Sequence, residues 1–380
     1  MIYFDNASTS HPKAPGVSDA VKSILDRGCF NINRGGYAGA YEVSNLVFET
    51  RGKLADFFGA DSGRNVVFSG GITHSLNVAL KGILRPGDRV VTTPMEHNSV
   101  IRPLFQLEKQ GVEVVMVRCG ADGMPDMDDF ASKITKATRL VTVSHASNVC
   151  GTIAPVAAIG NLCRERGALL LVDSAQTAGV IPISMRGDSI DILAFTAHKG
   201  LLSMQGLGGL VLSQQIADDM IPLLAGGTGS FTHIAEMPME LPDRLEAGTL
   251  NLPGIAAVSA ALDYINKLGI SEIYKREMRL ISRLQNEAAK LEGVRIMGPE
   301  NLSDKTAIAA LDFRGMDNAQ VSARLDNDFG IMTRCGLHCA PNAHKTLGTF
   351  PNGLLRCSLG HMNTDAQVDE FIMAIKSIIG

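Results

Sequence analysis

Tryptophan is absent from the 380 residues, and tyrosine occurs only 5 times. Nothing here suggests a row of aromatic platforms on which sugars or single-stranded bases would stack. No block of lysine or arginine stands out, and 35 basic residues against 39 acidic ones leave a net charge of −4. Neutralising a phosphate backbone needs clustered cations, so nucleic-acid binding is not expected. Long apolar runs are missing as well. None reaches the ~18 residues that span a bilayer, so no membrane role is expected. Met1–Thr9 carries Asp5 and Asn6 and has no basic stretch leading into an apolar one. No secretory signal is therefore expected, and the expected location is the cytoplasm. The cysteines Cys29, Cys119, Cys150, Cys163, Cys335, Cys339 and Cys357 are odd in number and scattered. That argues against a disulfide framework and for buried small hydrophobes, with the Cys335/Cys339 pair set apart.

What is present is an ordinary globular composition, 45% hydrophobic and 19% charged. At roughly 150 residues per domain, the length suggests two or three domains. Between residues 64 and 215, short runs rich in Val, Leu and Ile recur near 65–68, 88–93, 112–117, 139–144, 168–172, 190–195 and 209–213. Continuously apolar runs of this kind fit strands buried on both faces. Helical patterns lie between them at 72–84, 100–110 and 156–167. The alternation predicts an α/β fold with a mostly parallel sheet. After residue 255 the texture changes to α+β. Helices are predicted at 255–268, 319–328 and 364–379, with strands near 307–313 and 354–359. The stretch 272–291, rich in Lys, Arg and Glu, is expected to be a helix solvated on two sides.

Two residues carry the first chemical signal. Asp173 ends one buried strand and Lys199 directly follows another. The carboxyl ends of such strands are where α/β sheets present ligands. A lysine held there is desolvated, which lowers its pKa and makes its amine nucleophilic. Pyridoxal phosphate (PLP) needs such a lysine for a Schiff base and an acid beside its pyridinium nitrogen. The alternatives are a capping aspartate and a snorkelling lysine. A phosphate anchor is offered by Ser69-Gly70-Gly71-Ile72-Thr73-His74-Ser75, a strand end, a glycine turn and a helix start. Neither a nucleotide P-loop nor a dinucleotide fingerprint is present.

With these residues on view, the chain resembles the class V aminotransferase family of fold-type I PLP enzymes, and within it the cysteine desulfurases. The resemblance rests on Tyr3–Thr9, Glu96-His97-Asn98-Ser99, Ser147-Asn148 through Gly151-Thr152, Asp173 through Gln176, Thr196-Ala197-His198-Lys199 and Glu246 through Asn251, in the family's order. It implies a PLP-binding α/β unit over 14–250, with a mostly parallel seven-stranded sheet. A smaller α+β unit would comprise 1–13 and 251–380. It further implies that Lys199 holds PLP, His97 stacks on its ring, Asp173 pairs with the ring nitrogen and Gln176 with the phenolic oxygen. Gly71, Thr73, Thr196 and His198 would bind the phosphate, and Thr249 would reach the phosphate of a neighbouring subunit in a homodimer with shared sites. Arg356, with Asn148 and Arg334, would bind the carboxylate of L-cysteine.

The segment Arg334-Cys335-Gly336-Leu337-His338-Cys339-Ala340 resembles the R-x-G-H-H-C-A stretch of group II desulfurases and selenocysteine lyases. Cys339 would then accept the substrate's sulfur as a persulfide and pass it to an acceptor protein. Leu337 stands where the family has its first histidine, and Cys335 adds a second thiol able to resolve a persulfide or form a disulfide. Zinc ligation by Cys335, His338, Cys339 and His344 and a merely buried Cys339 are the competing readings, and no metal is expected. Selenocysteine lyase, cysteine sulfinate desulfinase or another class V reaction remain the alternative activities.

Overall fold

The seven apolar runs of the first half pair into one sheet. The computed structural model describes residues 1–32 and 35–380. After β1 (Ile2–Tyr3), α1 (Val17–Asp26) and α2 (Ala38–Phe58), strands and helices alternate. In order they are β2 (Val66–Ser69), α3 (Ile72–Ile83), β3 (Arg89–Thr92), α4 (Asn98–Glu108), β4 (Glu113–Met116) and α5 (Met127–Lys133). Next come β5 (Thr138–Ser144), α6 (Val156–Arg166), β6 (Leu169–Asp173), β7 (Ile192–Thr196) and β8 (Gly208–Leu212). Beyond α7 (Gln214–Asp218) lie α8 (Leu252–Leu268), α9 (Ile270–Ala288), β9 (Val294–Met297), β10 (Ile308–Phe313) and α10 (Asn318–Phe329). The chain ends with β11 (Ile331–Met332), β12 (Arg334–Gly336), α11 (Pro341–Thr346), β13 (Leu354–Ser358) and α12 (Asp365–Ile379).

The large sheet has the order β2-β8-β7-β6-β5-β3-β4. Every pairing from β7 through β4 is parallel, and β8 alone runs against its neighbours. Successive side chains point to opposite faces. Val141, Leu170, Val172, Leu193 and Phe195 pack with α1, α2, α6 and α8 on one face. Leu140, Leu171, Ile192, Ala194 and Leu210 pack with α3 and α4 on the other. Both faces are covered, which is why these strands read as unbroken apolar runs.

The register brings the chemistry to one edge. Ser144 stands beside Asp173, Asp173 beside Ala194, and Thr196 beside Gly208, which in turn faces Ser69. A Cβ on Gly208 would lie 2.7 Å from the Gly71 Cα and 2.5 Å from the Phe195 carbonyl oxygen. Only glycine lets β8 pass this close to the turn that opens α3.

A second, antiparallel sheet has the order β12-β13-β10-β9 and packs on α9, α10 and α12. Here α9 departs from the expectation of a helix solvated on two sides. It buries Ile273, Leu280, Ile281, Leu284 and Ala288 along one face, while Arg279 and Arg283 pair outward with Asp365 and Asp369 of α12. Charged residues fill only the outer stripe, which the composition of the stretch does not reveal.

Glu277 sits on the buried face of α9 and accepts the His361 N–H at 3.1 Å through Oε1. Burial pushes its carboxyl up to about 8. The unfolded chain releases this proton near the ordinary carboxylate range, whereas the folded chain keeps it to about pH 8. Its contribution is therefore fully present at low pH and is lost as pH rises through that window. We expect Glu277→Gln to match the wild type in stability near pH 5 and to exceed it by roughly 3 kcal/mol near pH 8. Denaturant melts at the two pH values check this, and a difference that does not change with pH contradicts it.

Candidate active site

Three segments converge at the sheet edge: the turn after β7, the glycine turn before α3, and the N-terminal strand with residues 5–13. Lys199 lies in the turn after β7. Burial, with Arg356 and Arg334 adding to it and Asp173 opposing, brings its amine down to about 8. Asp173 is 4% exposed. Its Oδ1 accepts the Ala175 N–H at 2.9 Å, and Oδ2 has no partner among the described residues. Burial raises its pKa, while the Lys199 charge opposes that shift.

The Lys199 turn is held by its neighbours' backbone. The His198 carbonyl accepts from the Ser10 N–H at 2.8 Å, the Thr9 hydroxyl at 3.0 Å and Lys13 Nζ at 3.1 Å. This ties residues 9–13 to the reactive amine. Gln176 is half-buried and donates to the Ala7 carbonyl at 3.1 Å. Thr196 is buried, and its hydroxyl is only 3.5 Å from the Leu207 carbonyl.

The start of α3 is an open cup of donors. Gly71, at φ 132°, is its N-cap and no side chain caps it. Ser69 Oγ takes the Gly71 N–H at 3.2 Å, and the next N–H groups are the usual orphans of a helix start. Thr73 is exposed beside them. Behind the cup, Glu246 is buried and takes Arg51 Nη1 at 2.7 Å, while the Phe68 N–H donates to the same Oε1. Thr249 follows, exposed, in a recess of about 190 Å³ shared with Ser69, Gly70 and His74. Its hydroxyl has no partner among the described residues. Asn251 caps α8 through the Gly254 N–H at 3.0 Å.

His97 caps α4. Its Nδ1 accepts the Ser99 N–H at 3.0 Å, so the neutral ring carries its proton on Nε2. Burial, helped by the positive charges of Lys199 and Arg334, lowers it to about 4. Glu96, beside it, receives the hydroxyls of Thr93 at 2.8 Å and Ser144 at 2.7 Å.

Opposite this group stand two arginines. Arg334 on β12 and Arg356 on β13 are directly paired across the ladder. Like charges so placed repel and call for anions. Asp5 supplies one. Arg356, 1% exposed, gives Nη2 to Asp5 Oδ1 at 2.7 Å and to Ser8 Oγ at 2.8 Å, and Nη1 to the Asn148 carbonyl at 2.8 Å. Its Nε is buried without a partner among the described residues. Arg334 Nη1 reaches the same Ser8 hydroxyl at 3.0 Å, and its Nη2 lies 3.7 Å from Cys339 Sγ. The Asn148 side chain is committed elsewhere, donating to the His338 carbonyl at 2.7 Å.

Cys339 is exposed, and both it and His338 have positive φ, 58° and 48°. The Asn98 N–H holds the Cys339 carbonyl at 2.8 Å, which fastens this loop to the start of α4 beside His97. Cys335 pairs with Leu355, and strand alternation points it away from the face that carries Arg334. Both thiols are free. His338 and His344, weighed as metal ligands, bond to each other at 3.3 Å. Asp5 and Ser8 were not legible as site members, since nothing local says that β1 runs on beside β13.

A half-buried lysine in the turn after β7, a buried carboxylate at the end of the adjacent parallel strand and an uncapped helix start are the groups that a PLP site of the fold-type I kind would need. The profile of the class V aminotransferases matches residues 2–371, and the chain belongs to that PLP-dependent family. A probable cysteine desulfurase of Methanothermobacter thermautotrophicus is 32% identical over all of this chain and 95% of its own length. A cysteine desulfurase of Haloferax volcanii is 31% identical over 99% of this chain and 88% of its own. Among solved structures, the apo cysteine desulfurase of Thermococcus onnurineus superposes with a TM-score of 0.93 at 32% identity, covering 100% of this chain and 94% of that one. The Escherichia coli cysteine desulfurase CsdA in its S-sulfonic acid form gives 0.88 at 27% identity, covering 99% and 94%.

The residues present fit PLP. Among the described residues, His198 Nδ1 is buried with no partner, Asp173 Oδ2 is unengaged, and no side chain caps the α3 start. Each is a polar group left open, of the kind that cofactor would need. Among the described residues, no helix is long and apolar enough to cross a membrane.

Proposed function

We propose that this protein is a PLP-dependent cysteine desulfurase that moves sulfur from L-cysteine onto Cys339 and releases L-alanine. The observation that carries this reading is the placement of an exposed thiol, Cys339, 3.7 Å from Arg334 Nη2, in a loop tied to the rim of the Lys199–Asp173 crevice.

In this reading Lys199 attaches the cofactor, Asp173 pairs with its ring nitrogen, Gln176 with its phenolic oxygen, and His97 stacks on its ring. Gly71, Thr73, Thr196 and His198 hold the phosphate. PLP supplies an electron sink that stabilises negative charge at the substrate's Cα. The protein's residues do the rest. Arg356 and Arg334, with Asn148 beside them, receive the substrate carboxylate, a task suited to planar guanidinium groups. The Lys199 amine, brought down to about 8, has a neutral fraction near neutral pH that takes the Cα proton, and it later returns a proton to the carbon skeleton. The Cys339 thiolate attacks the substrate's sulfur, so an S–S bond forms as the Cβ–S bond breaks. The atoms balance: L-cysteine and the Cys339 thiol become L-alanine and the Cys339 persulfide. An acceptor protein then takes the terminal sulfur.

The same reading makes the enzyme a cytoplasmic homodimer in which Thr249 reaches the partner's phosphate site. Its exposure, and the exposed Tyr41 and Phe48 of α2, support that arrangement. It also divides the chain into a cofactor unit and a smaller unit of 1–13 with the C-terminal part. The packing of α8 on α1 and α2 favours a join after Leu268 over one at residue 250.

The test is substrate choice. Purified enzyme given L-cysteine, L-selenocysteine or L-cysteine sulfinate is assayed for alanine with and without a thiol reductant. The desulfurase reading expects alanine from L-cysteine, rising when the reductant clears the persulfide. Alanine from selenocysteine or sulfinate but not from L-cysteine would replace it with a lyase or desulfinase reading.

A further inference from the structure

Beneath Cys339 lies a chain of buried polar side chains that the steps above do not use. His338 Nε2 lies 3.2 Å from the Arg334 carbonyl oxygen. His338 Nδ1 lies 3.3 Å from His344 Nε2. His344 Nδ1 lies 2.8 Å from Thr349 Oγ1. Both histidines are buried, 3% and 0% exposed, and their rings lie edge to edge, with planes 17° apart and centroids 5.5 Å apart.

The proton positions follow from chemistry. A carbonyl oxygen only accepts, so His338 Nε2 carries a hydrogen. Burial lowers His338 to about 2 and His344 to about 4, so both rings are neutral. His338 Nδ1 is then an acceptor, and His344 Nε2 must donate to it. His344 Nδ1 is in turn an acceptor, and the Thr349 hydroxyl donates. The chain has one direction: Thr349 O–H to His344, His344 N–H to His338, His338 N–H to the Arg334 carbonyl.

What it holds is strained. His338 and Cys339 are consecutive non-glycine residues in the left-handed region. Such residues persist only where the surroundings over-determine them. Asn148 fixes the His338 carbonyl and Asn98 the Cys339 carbonyl. The histidine chain fixes the remaining handle, the ring of His338, to the backbone of the residue whose guanidinium meets the thiol.

We propose that Thr349, His344 and His338 are positioning residues that set the Cys339 thiol against Arg334 for sulfur transfer. The proposal rests on Cys339 being the sulfur acceptor. His344 acts through its Nε2–H, and Thr349 acts by holding His344 in the tautomer that has that hydrogen.

Paired amide substitutions test this. Glutamine places a donor where the histidine has Nε2, whereas asparagine reaches only the Nδ1 position. His344→Gln is expected to form persulfide within about threefold of the wild-type rate. His344→Asn should be slowed about tenfold or more, since it leaves His338 Nδ1 buried and unpaired. KM for L-cysteine and the bound cofactor's absorbance should be unchanged in both.

A second pair guards against misfolding. His338→Gln keeps the donor to the Arg334 carbonyl and His338→Asn does not, yet asparagine tolerates positive φ better. The chain predicts the glutamine variant to be faster. Backbone strain alone predicts the asparagine variant to be faster, and that result would overturn the proposal. So would equal rates within both pairs.

Alkylation of Cys339 by iodoacetamide should follow the same order in each pair. That readout needs no turnover, so it separates the two claims. A wild type that forms no persulfide removes the acceptor role of Cys339. A wild type that does, with unordered variants, removes only the positioning role.

Discussion

Replacing Lys199 with alanine is expected to abolish alanine release from L-cysteine, by at least ~10³-fold, while the fold survives. The amine sits in the turn that follows a strand whose residues are buried, and burial brings it down to about 8. Neither of the two other lysines that burial lowers can stand in for it. Lys13 also falls to about 8, but its Nζ is spent on Thr9, Ser10 and the His198 carbonyl. Lys305 is buried against the second sheet's side, beside Cys150. The variant should also lose the covalent, borohydride-trappable attachment of added PLP. In the cofactor-free wild type, trapping of an aldehyde on Lys199 should rise with pH around 8, because the neutral amine is the nucleophile. Retained turnover in Lys199→Ala, or a trapping midpoint above pH 10, would sink the assignment.

Cys339→Ala is expected to bind PLP as the wild type does and to lose persulfide formation entirely. Alanine release from L-cysteine should fall ~10²-fold or more, because the attacking nucleophile is gone. The side chain is exposed and packs into no core, so its removal leaves melting nearly unchanged. Release from a substrate with a better leaving group should suffer less. If Cys339→Ala keeps the wild-type rate with L-cysteine, sulfur transfer to this thiol is excluded. Cys335 cannot rescue the variant from its present position, since it faces away from Arg334. Burial also raises its thiol pKa, which lowers the thiolate fraction.

Much of this was legible in the sequence, and the physical reason is specific. Doubly covered strands read as continuous apolar runs, so β2 to β8 could be placed within a residue or two. Asp173 and Lys199 were legible because a charged residue at the end of such a run stands out. Long-range pairings have no such mark. The approach of Asp5 and Ser8 to Arg356 depends on residues more than 340 positions apart. The direct pairing of Arg334 with Arg356 depends on ladder register, and the bond from His344 to His338 on the path of a short loop. Helix α9 misled because composition counts charges without saying which stripe they occupy. Helix α2, 21 residues long, carried a weak pattern because it buries small and polar residues such as Ala40, Thr50 and Arg51.

The central claim is that sulfur leaves L-cysteine for Cys339. It is tested most directly by one turnover without reductant, with alanine counted and the Cys339 peptide weighed on the same sample. The account predicts one alanine per subunit and one added sulfur atom on Cys339, removed by a later thiol reductant. Alanine formed with Cys339 unmodified and free sulfide in solution would contradict it.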